Sequence, residues 1–175
     1  MTGSDVKELY LALERVGVLI WIDGGWGVDA LLGRRTRGHA DLDIALQAHD
    51  VARFRTLLDG LGFRDVPRDD TSSWNFVMAD PAERKIDVHV ISFDENGNGI
   101  LGPPELGNAY PAGALDGAGV VEGLNVRCVT PEFMVKFRTG YVPRPSDYAD
   151  VKLLCDRFGI DYPEEYAGLS SPSAT

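Results

Sequence analysis

The segment GHADLDIAL, residues 38–46, sets Asp41 and Asp43 two positions apart in what otherwise reads as a buried β-strand. Successive strand side chains point to opposite faces, so the two carboxylates share one face while Leu42 and Ile44 take the other. Like charges a few ångströms apart raise each other's pKa and cost stability unless something positive sits between them. A divalent cation supplies that charge, and Mg²⁺ favours one or two carboxylates together with substrate phosphates. The alternative for so short a pattern is a strand start at a sheet rim, with both aspartates in water.

Upstream, IDGGWG lies at a strand-to-helix junction. Gly24 and Gly25 there let backbone approach a ligand, and the N-terminus of the next helix offers free N–H groups to a phosphate. A plain structural turn is the competing reading. Downstream, RKIDVHV puts Asp87 on another apolar strand, on the face of Lys85 and His89 and opposite Ile86 and Val88. An aspartate inside a strand is disfavoured. It serves a structural ion pair, a metal, or a general base that takes a hydroxyl proton. Arg34, Arg35, Arg37 and His39 stand just before the aspartate pair, either solvated or meeting the charge of a nucleoside triphosphate.

The elements that must position these groups follow from periodicity. SDVKELYLALERVG reads as an amphipathic helix capped by Ser4, VLIWI as a short strand, and WGVDALLG as a helix closed by Gly33. DLDIAL is a strand, HDVARFRTLLDGLG a helix, and NFVMAD and KIDVHVISF two further strands. From Asp94 to about Val120 the chain is rich in Gly, Pro and Asn, which predicts long loops and a small hairpin. Helices begin again at Thr130–Pro131 and at Ser146. The order predicts an α/β (α+β) fold, a mixed β-sheet flanked by helices with C-terminal helices, as one domain over residues 1–165 and a disordered tail over 166–175.

Composition narrows the function. A formal charge of −10 opposes binding to phosphate backbones, so nucleic acid is not expected as a partner. No apolar run approaches the roughly 20 residues of a membrane span, and the N-terminus is acidic and polar, unlike a cleaved signal; a cytoplasmic protein is expected. Cys128 and Cys155 lack metal-ligand spacing and read as core thiols.

With these residues in view, WIDGGWGVDALLGRRTRGHADLDIAL resembles the signature of the antibiotic nucleotidyltransferases, within the DNA polymerase β-like superfamily. The resemblance runs from about residue 4 to 160 and is closest to small lincosamide nucleotidyltransferases and aminoglycoside 2''-adenylyltransferases. It implies a nucleotidyltransferase fold and transfer of a nucleoside monophosphate, usually AMP from ATP, to a hydroxyl of a small-molecule antibiotic, releasing pyrophosphate. It further implies that Asp41 and Asp43 bind two Mg²⁺ ions, that Asp87 joins the metal site and acts as base, and that Gly24 and Gly25 hold the phosphates. Arg37 and His39 are the nucleotide-binding candidates beside them. Relatives often form homodimers, which this sequence permits. The chain departs from the pattern at Val90, where relatives often carry proline, and at Asn75, where many carry arginine.

For the acceptor, the acids Asp69, Asp70, Asp94, Glu95, Glu105, Asp116 and Glu122 suit a polycationic aminoglycoside, while Trp74, Phe76, Tyr110 and Tyr141 suit the apolar tail of a lincosamide. KIDVHVISFDENGNG and TGYVPRPSDYADVKLL look more like the lincosamide branch. Asp147 and Asp150, three apart on a late helix, are either a solvated helix start or contacts at the site rim. The alternative to an enzyme is a non-catalytic or regulatory nucleotide-binding module on the same scaffold.

Overall fold

The protein is described by a computed structural model over residues 1–169. Helix α1, Gly3–Arg15, is capped by Thr2 rather than Ser4. Asp5 lies three residues after Thr2, so the two side chains cap each other's backbone N–H groups. Strand β1, Ile20–Ile22, leads through Asp23 into helix α2, Gly24–Leu32, which Gly33 ends in a left-handed conformation. Strand β2, Asp41–Gln47, precedes helix α3, Val51–Gly60. Strands β3, Arg64–Val66, β4, Asn75–Ala79, and β5, Lys85–Phe93, follow.

The stretch expected to be mostly loop holds three strands, β6, Gly99–Leu101, β7, Ala109–Tyr110, and β8, Gly117–Val121, and β9, Leu124–Cys128, lies just beyond it. Helices α4, Pro131–Lys136, and α5, Pro145–Phe158, complete the main elements. The sheet runs β3-β4-β5-β2-β1-β9-β8, with β6 and β7 folded onto the far end of β5. It is mixed: β2 pairs β5 and β1 pairs β9 in parallel, and β1–β2 and β4–β5 are antiparallel.

Alternation divides the sheet into two apolar layers. Ile20, Ile22, Leu42, Ile44, Ile86 and Val88 pack against α1 and α3, while Trp21, Ala45 and Ile91 pack with residues of α4 and α5. Each fully buried aliphatic side chain contributes roughly 1.5–3 kcal/mol. Because Asp41, Asp43, Asp87 and His89 share parity with Ala45 and Ile91, they face the α4–α5 side, where α2 also docks.

Residues 164–169 form a 3₁₀ turn in which Tyr166 is fully buried, its hydroxyl donating to the Arg138 carbonyl at 2.6 Å. Tyr166 packs in one cluster with Val151, Leu154 and Cys155 of α5. Of the tail expected over residues 166–175, residues 170–175 lie outside the described residues. No helix among the described residues is long and apolar enough to cross a membrane.

Candidate active site

The sheet positions its acids at one end. In the parallel β2–β5 pair Asp43 lies directly beside Asp87, and Asp41 beside Lys85. Strand β1 runs antiparallel to β2, so its last residues return to the same end, where the Asp23 N–H donates to the Asp43 carbonyl at 2.9 Å. Three carboxylates besides its own thus act on Asp43. Burial, then the charges of Asp41, Asp23 and Asp87, push it up to about 7 against the opposing pull of Arg138.

Asp23, absent from the sequence-based expectations, is the N-cap of α2: its Oδ1 accepts the Gly24 N–H at 2.7 Å. The signal was present as an aspartate immediately before a helix start. Its Oδ2 accepts from the Tyr110 hydroxyl at 2.8 Å, and that hydroxyl oxygen lies 3.0 Å from His89 Nδ1. Tyr110 arrives on β7, which the β6–β7 ribbon carries over the acids. Burial first, then the charge of Asp23, holds its phenol well above the ordinary tyrosine range, so it stays a hydrogen-bond donor.

Gly24 and Gly25 are the first two residues of α2, inside the helix rather than in a turn before it. Gly24 has φ +57°, and a Cβ there would collide with the Asp43 carboxylate. At Gly25 a Cβ would strike His39 Nδ1 and lie 2.7 Å from Arg37 Nη2. The close approach that the glycines allow is thus made by the protein's own side chains.

The nucleotide-binding candidates Arg37 and His39 are both engaged. His39 Nε2 contacts Asp29 Oδ2 at 2.6 Å, both side chains buried, and Asp29 also accepts from Thr36. Burial opposes ionisation of Asp29, but hydrogen bonds from His39 and Thr36 outweigh it and lower its pKa. Arg37 donates to Asp150 through Nε at 3.2 Å and Nη2 at 3.0 Å. Asp147 caps α5, accepting the Arg144 N–H at 2.8 Å, so it is a structural acid of the helix start.

Asp87 meets Arg68, which donates to both its oxygens at 2.7 and 3.3 Å. Among the described residues no three His, Cys, Asp or Glu side chains converge closely enough to form a ready metal cluster. The donor set nonetheless suits a hard cation: Asp41, Asp43 and Asp87 offer only carboxylate oxygens on one sheet face, and the mutual repulsion at Asp43 is relieved by positive charge.

A cavity of about 500 Å³ opens in front of this end of the sheet. Asp23, Gly24, Asp43 and His89 form its floor, Arg138 and Arg144 supply its cationic side, and Leu101, Ala109, Tyr110, Phe137 and Tyr141 give it an apolar wall. None of Asp69, Asp70, Asp94, Glu95, Glu105, Asp116 and Glu122 lines it. Of the aromatics expected at an acceptor, Tyr110 and Tyr141 are present; Phe76 is buried in the other layer and Trp74 packs against it.

Known proteins share this arrangement of chain. The sequence is 29% identical over 157 residues to a lincosamide resistance protein of Staphylococcus haemolyticus, covering 85% of this chain and 92% of that one. It is 26% identical over 130 residues to a 2''-aminoglycoside nucleotidyltransferase of Escherichia coli, covering 74% and 68%. Among solved structures, a lincomycin-bound lincosamide antibiotic adenylyltransferase superposes with a TM-score of 0.76 at 24% identity, over 88% of this chain and 96% of that one. ANT(2'')-Ia in complex with adenylyl-2''-tobramycin gives 0.71 at 22% identity, over 90% and 89%. Both likenesses establish the nucleotidyltransferase fold. The sequence profile of the aminoglycoside-2''-adenylyltransferases matches residues 5–154, and the chain belongs to that family.

Proposed function

We propose that this protein transfers AMP from ATP to a hydroxyl of a lincosamide-type antibiotic, with two Mg²⁺ ions and release of pyrophosphate. The observation that carries the reading is the side-by-side pairing of Asp43 with Asp87, with Asp41 on the same face, and with Asp43 lining the cavity beside Gly24 at the first turn of α2. Asp41, Asp43 and Asp87 are the ligands for the metal. Bound Mg²⁺ supplies charge neutralisation at the phosphates and alignment of the entering and leaving oxygens.

The chain's own groups do the rest. Asp87 takes the proton of the acceptor hydroxyl; the hydroxyl oxygen forms a bond to the α-phosphorus, and the bond from that phosphorus to the bridging oxygen breaks, releasing pyrophosphate. The N-terminus of α2 at Gly24–Gly25 binds phosphate oxygens. The acceptor preference rests on the wall formed by Leu101, Ala109, Tyr110, Phe137 and Tyr141, which suits an apolar tail. A polycation would find only Asp23 and Asp43 as acids among the cavity-lining residues, with Arg138 and Arg144 opposing it.

The test is pyrophosphate release with ATP and Mg²⁺ across a panel of lincosamides and aminoglycosides, with Asp41→Asn as control. Release with lincosamides, lost in the variant, is expected. Release only with aminoglycosides reverses the acceptor assignment, and full turnover by the variant removes the metal site from the reading.

A further inference from the structure

His89 follows Asp87 on the same face of β5 and lines the cavity, with 26% of its side chain accessible. Its two ring nitrogens have different surroundings. Nδ1 lies 3.0 Å from the Tyr110 hydroxyl oxygen, and that hydroxyl gives its single proton to Asp23 Oδ2 at 2.8 Å. The phenolic oxygen is then free only to accept, so Nδ1 carries the hydrogen that joins the pair. In the neutral imidazole this leaves Nε2 with a lone pair and no proton, as a hydrogen-bond acceptor.

Nε2 makes no hydrogen bond among the described residues. Asp87 Oδ1 lies 4.0 Å from it, beyond hydrogen-bond length. Oδ1 is also the less closely held oxygen of Asp87, since Arg68 approaches Oδ2 at 2.7 Å and Oδ1 at 3.3 Å. Two acceptors thus stand side by side, one of them the group that takes the proton of the reacting hydroxyl. One hydroxyl has one proton and satisfies only one of them. Hydroxyls on adjacent carbons satisfy both, each donating to its own acceptor. An ammonium in place of the second hydroxyl would also donate, but Arg138 and Arg144 on the cavity's cationic side oppose it.

We infer that His89 selects the acceptor by the hydroxyl next to the one that reacts, so that the substrate is a vicinal diol of the kind a sugar ring carries. The inference rests on the nucleotidyl-transfer reading and adds to it what the acceptor must present. Asp87 meets the reacting hydroxyl, and His89 Nε2 accepts from its neighbour. The Tyr110 hydroxyl is the positioning group: held by Asp23, it fixes the His89 ring in the accepting tautomer. A site built to accept from a hydroxyl rejects the analogue that lacks it, because its own polar group is left unpaired. Partial exposure of His89 lets water relieve part of that loss.

Steady-state kinetics and calorimetric acceptor binding test it, with lincomycin and with analogues of it lacking one sugar hydroxyl at a time. The analogue without the reacting hydroxyl should bind and not turn over. The analogue without its neighbour should lose at least about tenfold in kcat/KM and in affinity with wild type. His89→Asn keeps an amide donor for Tyr110 in the place of Nδ1 and removes Nε2, so it should treat that second analogue and lincomycin alike. His89→Gln puts an amide near the place of Nε2 and should restore part of the discrimination, which keeps the inference falsifiable if the asparagine variant does not fold. Wild type that turns over every analogue with a reacting hydroxyl as well as lincomycin overturns the diol. Discrimination that persists in His89→Asn, or is fully lost in His89→Gln, overturns Nε2 as the selecting atom, and turnover confined to aminoglycosides overturns the diol with the acceptor assignment. All of these leave nucleotidyl transfer standing. Absence of turnover with any acceptor overturns both readings.

Discussion

The Arg68 guanidinium grips both oxygens of Asp87, at 2.7 and 3.3 Å, and reaches Asp70 through Nε at 3.2 Å. Arg68 stands on the segment between β3 and β4, across from the acids of β2 and β5. It supplies to Asp87 the positive charge that a cation would otherwise supply, and the two cannot occupy the same oxygens together. The hydrogen bonds to Asp87 raise the Arg68 pKa still further, so the guanidinium remains charged.

Removing this competitor should tighten metal binding. The pair is partly exposed, with 34% of the Arg68 and 14% of the Asp87 side chain accessible, so its worth is roughly 1 kcal/mol, or about fivefold in affinity. Arg68→Ala is expected to lower the Mn²⁺ dissociation constant by that factor, read from water-proton relaxation without nucleotide. An unchanged constant shows that Arg68 and the metal do not compete for Asp87.

Asp43 makes stability depend on pH. Its folded pKa of about 7 lies above the unfolded value near 4, so between those values the native state holds a proton that the unfolded chain has lost. Stability is therefore highest at the acid end of that window and falls as pH rises through it. Asp43→Asn should flatten this slope and raise the melting temperature at pH 8 by about 2–4 °C, for on the order of 1 kcal/mol in a domain of this size. Scanning calorimetry at pH 5 and pH 8 checks it, and a variant that keeps the wild-type slope points to another titrating group.

Chemistry and folding separate at Asp87. Asp87→Asn retains size and strand position but can no longer accept the hydroxyl proton, and a loss of turnover of at least about 100-fold is expected with a native circular dichroism spectrum. Turnover within a few-fold of wild type would move the base to another residue.

The shared face of the acids was legible in the sequence because strand parity is local, whereas the glycines, read as a turn before the helix, are its first two residues. Parity alone puts Asp41, Asp43 and Asp87 on one face, and pairing in the sheet then brings Asp43 beside Asp87. The other misses are non-local. Strand β3 has the burial of a loop at Arg64 and Asp65, and only its pairing with Met78 and Ala79 makes it a strand. The β8–β9 hairpin turns through Glu122 and Gly123, both at positive φ, without the Asn-Gly or Asp-Gly signal. Asp150 and Arg37 lie 113 residues apart, and no spacing rule joins them.

Gly24→Ala tests the tightest point of the site. The residue has φ +57°, which costs a non-glycine residue about 1–3 kcal/mol, and the added methyl collides with the Asp43 carboxylate. A lower melting temperature together with lost ATP binding is expected. Retention of both would mean that α2 can start one residue later without disturbing Asp43.

Tyr110→Phe removes a hydroxyl while keeping the ring that packs edge-on against Phe137 at 5.4 Å. Because the phenol stays protonated at any working pH, its contribution is donation to Asp23 Oδ2 at 2.8 Å and nothing ionic. Without it, the Asp23 carboxylate loses a donor beside Asp43, and a charge-assisted bond of this kind contributes about 1.5–3 kcal/mol. The variant should lose stability on that order and reduce turnover, with the ATP KM less affected than kcat, because Asp23 and Asp43 shift relative to each other rather than to the phosphate-binding end. Denaturant titration and steady-state kinetics measure the two effects. A variant as stable and as active as wild type would show that water replaces the tyrosine hydroxyl at Asp23 and that the β6–β7 ribbon contributes only its apolar wall.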